Sequence, residues 1–219
     1  MGLDITGPEA RARIPLWLKL AYTVFVAVVL PIYWEQYTPL NFLWFCDVAL
    51  LTTLVGLWIG SPLLFSMQAA AIILPQFLWQ VDFLLHLLSG YDMMGLSAYM
   101  FDSSIPLFNR GLSLFHFWLP LLLLWLLWRV GYDRRAWLAQ TLYGWLVLLL
   151  CFVFVSDIAG PAGNVNKILG WSDSTPETAM PHWLWLSVLM AVLPVYIYLP
   201  AHLILRRLFR PPAQLDGRS

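Results

Sequence analysis

An all-α membrane bundle is the fold this chain predicts. Three observations predict it: apolar runs of spanning length recur six times, charge is scarce, and the basic residues collect on one side of those runs. Of 219 residues, 61% are hydrophobic and 11% are charged, where a soluble domain carries about 25% charged residues. A chain this apolar has too little polar surface to face water. One spanning helix takes roughly 20 apolar residues, so the length divides into six such helices, short loops and two polar ends. Net charge is zero, which leaves no global basic field for nucleic acid. The expected partner is the lipid bilayer.

Residues 1–14 are polar, carry Arg11 and Arg13, and read as a cytoplasmic N-terminal segment. Pro15 opens the first span, about 15–34. A signal peptide is the competing reading, but the run is long and no small-x-small cleavage site follows it. The second span, about 40–60, is an unbroken apolar run whose only ionisable side chains are Cys46 and Asp47. Gly60-Ser61-Pro62 is a break built of turn formers. The third span, 63–89, is kinked at Pro75; its second half, QFLWQVDFLLHLLSG, reads either as the tilted continuation or as a segment near the surface. A loop of 90–111 follows, long enough to cap one end of a bundle. The fourth span is about 112–130, the turn 131–135 leads to the fifth at 136–156, and a second polar loop covers 157–181. The sixth span is about 182–205, and 206–219 form a cytoplasmic C-terminal tail.

Lys and Arg collect on the cytoplasmic side of short loops. With six spans, one side holds Arg11, Arg13, Lys19, Arg129, Arg134, Arg135, Arg206, Arg207, Arg210 and Arg218, and the other holds Arg110 and Lys167. Both termini are therefore expected to be cytoplasmic. Tyr33, Trp34, Tyr37, Trp171, Trp183 and Trp185 gather near helix ends on the other face, as an interfacial belt does.

The directions of the spans set depths. Cys46 lies roughly 9 Å below the outer end of its span at about 1.5 Å per residue. His116 sits a similar distance into span four, and Asp82 and His86 lie near the outer end of span three. Ionisable groups inside a membrane are costly and point to function, and these converge in the outer half of the bilayer. Each also has an ordinary explanation. Asp82 and His86, four apart on one helix face, can simply pair; His116 can bond a carbonyl across helices; Asp47 can be a hydrogen-bonding hub; Cys151 can be a small buried hydrophobe.

Two chemistries suit the set. In one, Cys46 is a nucleophile, His116 its base, and Asp82 or His86 orients or stabilises charge, giving acyl transfer or hydrolysis on a lipid. In the other, Asp47, Asp82, His86 and His116 hold zinc, whose bound water is the nucleophile; no HExxH or CxxC spacing accompanies it. No organic cofactor is expected. A non-enzymatic role, as a small transporter, lipid-binding or assembly subunit, uses the same polar cluster as a proton or ligand site.

Three stretches carry a family likeness: Pro39-Leu40-Asn41 through Cys46-Asp47, Leu114-Phe115-His116, and Asn164-Val165-Asn166 ahead of a Pro- and Trp-rich entry to the last span. In these the chain resembles the YwaF-like bacterial integral membrane proteins, related to a six-pass mammalian ether-lipid acyltransferase, and more distantly the androgen-induced membrane lipid hydrolases. The resemblance implies Cys46 and His116 as the reacting pair, a lipid substrate and a bacterial cytoplasmic membrane. This chain differs in having Asn41 and apolar neighbours where a histidine precedes the cysteine, and Lys167 where an aromatic follows the asparagine motif.

Overall fold

A computed structural model of the chain describes residues 12–155, 164–170 and 180–212. Arg11, Arg218, Trp171 and much of the 157–181 loop lie outside the described residues. Every regular element among those described is helical. The principal helices are α1 (Leu16–Gln36), α2 (Phe45–Ile59), α3 (Pro62–Ser89), α4 (Leu107–Val130), α5 (Ala136–Val155) and α6 (His182–Leu208). In α4 a short helical turn, Leu107–Leu112, leads into the main body Phe115–Val130. In α6 a π-helical turn, Leu193–Tyr198, begins beside Pro194, whose ring lacks the N–H that a regular ladder needs. All of these except α2 are long and apolar enough to cross a membrane.

The second element is shorter than its apolar run. Pro39 opens a 3-10 turn, Pro39–Leu43, and Trp44 is extended at φ −57°, ψ 136°, so α2 starts only at Phe45. Its 15 residues reach about 22 Å, against roughly 30 Å of hydrocarbon. The third element is undivided, the first of its two expected readings: α3 runs 28 residues through Pro75, so 76–89 belong to the helix and form no separate surface segment. At about 42 Å it overshoots the hydrocarbon layer by roughly two turns. Ser61 caps its start, accepting from Leu64 N at 3.3 Å, and Gly90 ends it at φ 70°.

The bundle is organised around α3, which packs against α2, α4, α5 and α6. Small side chains permit this: Ala69, Ala70 and Ala71 are buried, and a Cβ at Gly56 would stand 2.7 Å from the Phe65 ring. Close approach through small residues is how helices gain packing energy in lipid, where burial of apolar area supplies no drive. Leu119, Leu123, Leu126 and Leu127 of α4 complete the centre. The outer faces are inverted relative to a soluble protein. Val24, Leu121, Leu142 and Val153 are 63%, 65%, 56% and 62% exposed, a surface compatible with lipid.

Both described ends of the chain meet at one end of the bundle, here called the basic end. Arg129 Nη2 donates to the Arg13 carbonyl at 2.9 Å, Asp133 N to Ser66 Oγ at 2.9 Å, and Tyr132 N to the Arg210 carbonyl at 2.8 Å. At the opposite, loop end, Tyr33 of α1 meets Ser113 of α4 at 2.8 Å between hydroxyls, and Asn109 Nδ2 donates to Gln36 Oε1 at 3.1 Å. The first and last described segments, at Arg13 and Arg210, therefore lie at the same end of the bundle.

Candidate functional site

The loop end carries the polar cluster. Its entry is fixed by a residue far away in sequence. Trp44 at the N-cap of α2 supplies no capping side chain, leaving the first N–H groups without intrahelical partners. Asn166 fills that role: its Oδ1 accepts from Phe45 N at 3.0 Å, its Nδ2 donates to the Leu43 carbonyl at 2.7 Å, and to Cys151 Sγ at 3.4 Å. It does so at φ 53°, a left-handed conformation that asparagine tolerates better than most residues. Asn164 closes the same turn, accepting from Leu169 N at 2.8 Å and donating to the Gly170 carbonyl at 2.9 Å. The asparagine motif is thus a clamp on the start of the helix that bears Cys46. Cys151 is buried, as its apolar run predicts.

One residue inward, the Cys46 thiol donates to Asp47 Oδ2 at 3.6 Å, and Asn41 Nδ2 donates to the same oxygen at 3.5 Å. Cys46 is half-buried while Asp47 is 4% exposed. Asp47 Oδ1 is buried with no hydrogen-bond partner among the described residues. The thiol therefore stands at the rim, with the carboxylate behind it.

His116 lies on α4, buried against the ring of Trp79, with centroids 4.6 Å apart and planes at 22°. Its Nδ1 is 2.7 Å from the Ser113 carbonyl. A carbonyl only accepts, so Nδ1 carries the proton and Nε2 is left as a basic nitrogen. The Ser113 hydroxyl pairs with Tyr33. Tyr99 lies against the same group: burial, first, pushes its phenol well above its ordinary range, and Cys46, Tyr33 and Asp47 add to the rise. The Tyr37 phenol is raised by burial and then by the Asp47 carboxylate. Cys46 and Asp47 thus bear on Tyr99, and Tyr33 meets Ser113, whose carbonyl holds His116; no hydrogen bond joins Cys46 to His116.

Asp82 and His86 are placed differently. Asp82 is fully buried and its carboxylate is occupied by the loop after α3, accepting from Met94 N at 2.8 Å, Ser97 N at 2.9 Å and Ser97 Oγ at 2.8 Å. It does not pair with His86, whose ring stacks on Phe101 at 3.8 Å between centroids. His86 Nδ1 is buried without a partner among the described residues. Asp82 thus pins the 91–101 segment over the loop end. Among the described residues, no three His, Cys, Asp or Glu side chains come together in a group suited to a metal ion, so Asp47, Asp82, His86 and His116 form no such group.

Several members of the site are polar groups that composition hides. Among the described residues, Gln76, 3% exposed, has neither amide atom bonded, and Trp79 Nε1 is buried and unbonded as well; both sit on α3, three residues apart and on one face. Gln80 Nε2 donates to the His116 carbonyl at 2.8 Å. Glutamines in an apolar run are the only signal that sequence offers for this face. Compared with known protein families, with curated proteins and with solved structures, the chain matches none.

Proposed function

We propose that the protein is a six-pass membrane protein, with both termini cytoplasmic, that transfers or hydrolyses acyl groups of lipids through Cys46. The observation that carries this reading is the half-buried thiol donating to a buried carboxylate, within the cluster that holds His116 in its Nε2-basic form. A nucleophilic thiol needs access on one side and a proton acceptor on the other. Cys46 gives up its proton to Asp47 Oδ2 and attacks an ester carbonyl; the leaving alkoxide takes that proton back from Asp47 as the ester bond breaks, and a thioester remains. His116 Nε2 then removes the proton from the acceptor alcohol or water as it takes the acyl group, and that proton returns to the Cys46 thiolate released from the thioester. Gln76 Nε2 and Trp79 Nε1, buried donors without partners among the described residues, are suited to a carbonyl oxygen. The likeness to the YwaF-like proteins points the same way, the shared end of the first and last described segments supports an even number of passes, and the basic residues gathered there support the orientation.

The test is labelling of the detergent-solubilised chain with an acyl-thiol-reactive probe. Labelling is expected to vanish in Cys46→Ala and to fall in His116→Ala; equal labelling of Cys46→Ala and wild type overturns the proposal. A second reading rests on the unbonded Asp47 Oδ1: the cluster is then a proton or ligand site in a non-enzymatic membrane protein. It predicts that Asp47→Asn abolishes function while Cys46→Ser does not.

A further inference from the structure

At the basic end, Arg134, Arg206 and Arg207 line one open cleft of about 330 Å³, within the ~300–1,000 Å³ range of small-molecule sites. The three come from two separate elements, the α4–α5 turn and the last turn of α6, and the cleft is held together by backbone. Tyr132 N donates to the Arg210 carbonyl at 2.8 Å, and Tyr132 OH lies 2.8 Å from His202 Nδ1. Gly131, at φ 89°, approaches so closely that a Cβ there would stand 2.8 Å from Pro212 N.

Among the described residues, the neighbouring charges leave the cleft without an anion. Asp133, the nearest carboxylate on the turn, is taken by Arg135 at 2.7 Å. Arg129 is held by the Arg13 carbonyl. No hydrogen bond or ion pair engages Arg134, Arg206 or Arg207 among the described residues, and all three are exposed. Cations suit the C-terminal turn of a helix, which accounts for Arg206 and Arg207 but not for Arg134 facing them. Guanidinium groups are planar forks matched to phosphate oxygens. Arg206 lies about 36 Å along α6 from His182, past a hydrocarbon layer of roughly 30 Å and so at headgroup depth.

We propose that this cleft binds the phosphate of an anionic phospholipid headgroup in the leaflet at the basic end. The inference rests on the membrane reading and is independent of any chemistry at Cys46. Each arginine near an anionic surface is worth about 1 kcal/mol, or about fivefold in affinity, so the three together account for roughly a hundredfold.

The experiment is native mass spectrometry of the full chain in detergent, titrated with phosphatidylglycerol, with phosphatidylcholine and with inorganic phosphate in parallel. Wild type is expected to retain one phosphatidylglycerol in preference to phosphatidylcholine. Affinity is expected to fall about fivefold in Arg134→Gln and about a hundredfold in Arg134→Gln/Arg206→Gln/Arg207→Gln. Raising salt on wild type should weaken retention similarly, which keeps the test valid if the triple variant is poorly folded. Equal retention of both lipids, or no loss in the triple variant, overturns the proposal. Displacement of phosphatidylglycerol by inorganic phosphate at equal concentration assigns the cleft to a free anion and overturns the lipid assignment.

Discussion

Replacing Asp82 with alanine separates the two roles that this carboxylate can play. In the structure it accepts three hydrogen bonds, from Met94 N, Ser97 N and Ser97 Oγ. Deleting the acceptor leaves three donors to find water or stay unbonded, at about 1–3 kcal/mol for each that stays buried. Ser97 is fully buried while Met94 is 40% exposed, so water reaches the Met94 amide and the Ser97 pair bears most of the loss. A local cost of about 3 kcal/mol is the expected total, equivalent to roughly a hundredfold in the opening equilibrium. Amide hydrogen exchange read by mass spectrometry should accelerate by about that factor in peptides covering 91–101 and remain unchanged in α1 and α5. The alkylation rate of Cys46 should not move. Unchanged exchange in 91–101 refutes the anchoring role, and a change confined to Cys46 reactivity places Asp82 in the reacting site instead.

Asn166→Ala removes the long-range cap from α2; a cost of about 2 kcal/mol is expected from two lost backbone contacts, read as a lower thermal midpoint together with faster exchange at Phe45. Gly131→Ala should destabilise by about 1–3 kcal/mol, because φ 89° and the 2.8 Å approach to Pro212 N admit no Cβ; Gly111→Ala, where a Cβ meets nothing within 4 Å, is the control. Tyr33→Phe should cost about 1 kcal/mol through the lost Ser113 hydroxyl pair, measured by denaturation in mixed micelles.

Helical class and the positions of the long helices were legible because apolar runs of spanning length leave few alternatives. The ends were less so. Trp44 breaks the second run through a turn begun at Pro39, and nothing in an all-apolar stretch marks where helix gives way to 3-10 geometry. The depth argument put Cys46, Asp47 and His116 at one level, since helix rise fixes level, but level alone does not set the lateral distance between helices. It could not separate Asp82 from them. Four-residue spacing puts Asp82 and His86 on one face, but the acid's partners are amides 12 and 15 residues later, and they exist only once the loop folds back. Asn166 is the extreme case, a cap 121 residues from the N–H it satisfies. The bond from His116 Nδ1 to the Ser113 carbonyl is local, but it is made to backbone, so the serine at that position is no signal for it.

The central claim is that Cys46 forms a covalent acyl intermediate. Intact-protein mass spectrometry after incubation with a p-nitrophenyl ester of a medium-chain fatty acid measures it most directly. The account predicts one acyl adduct, mapped to the peptide containing Cys46, removed by hydroxylamine and absent from Cys46→Ala. An unmodified wild-type protein, or an adduct that persists in Cys46→Ala, contradicts it.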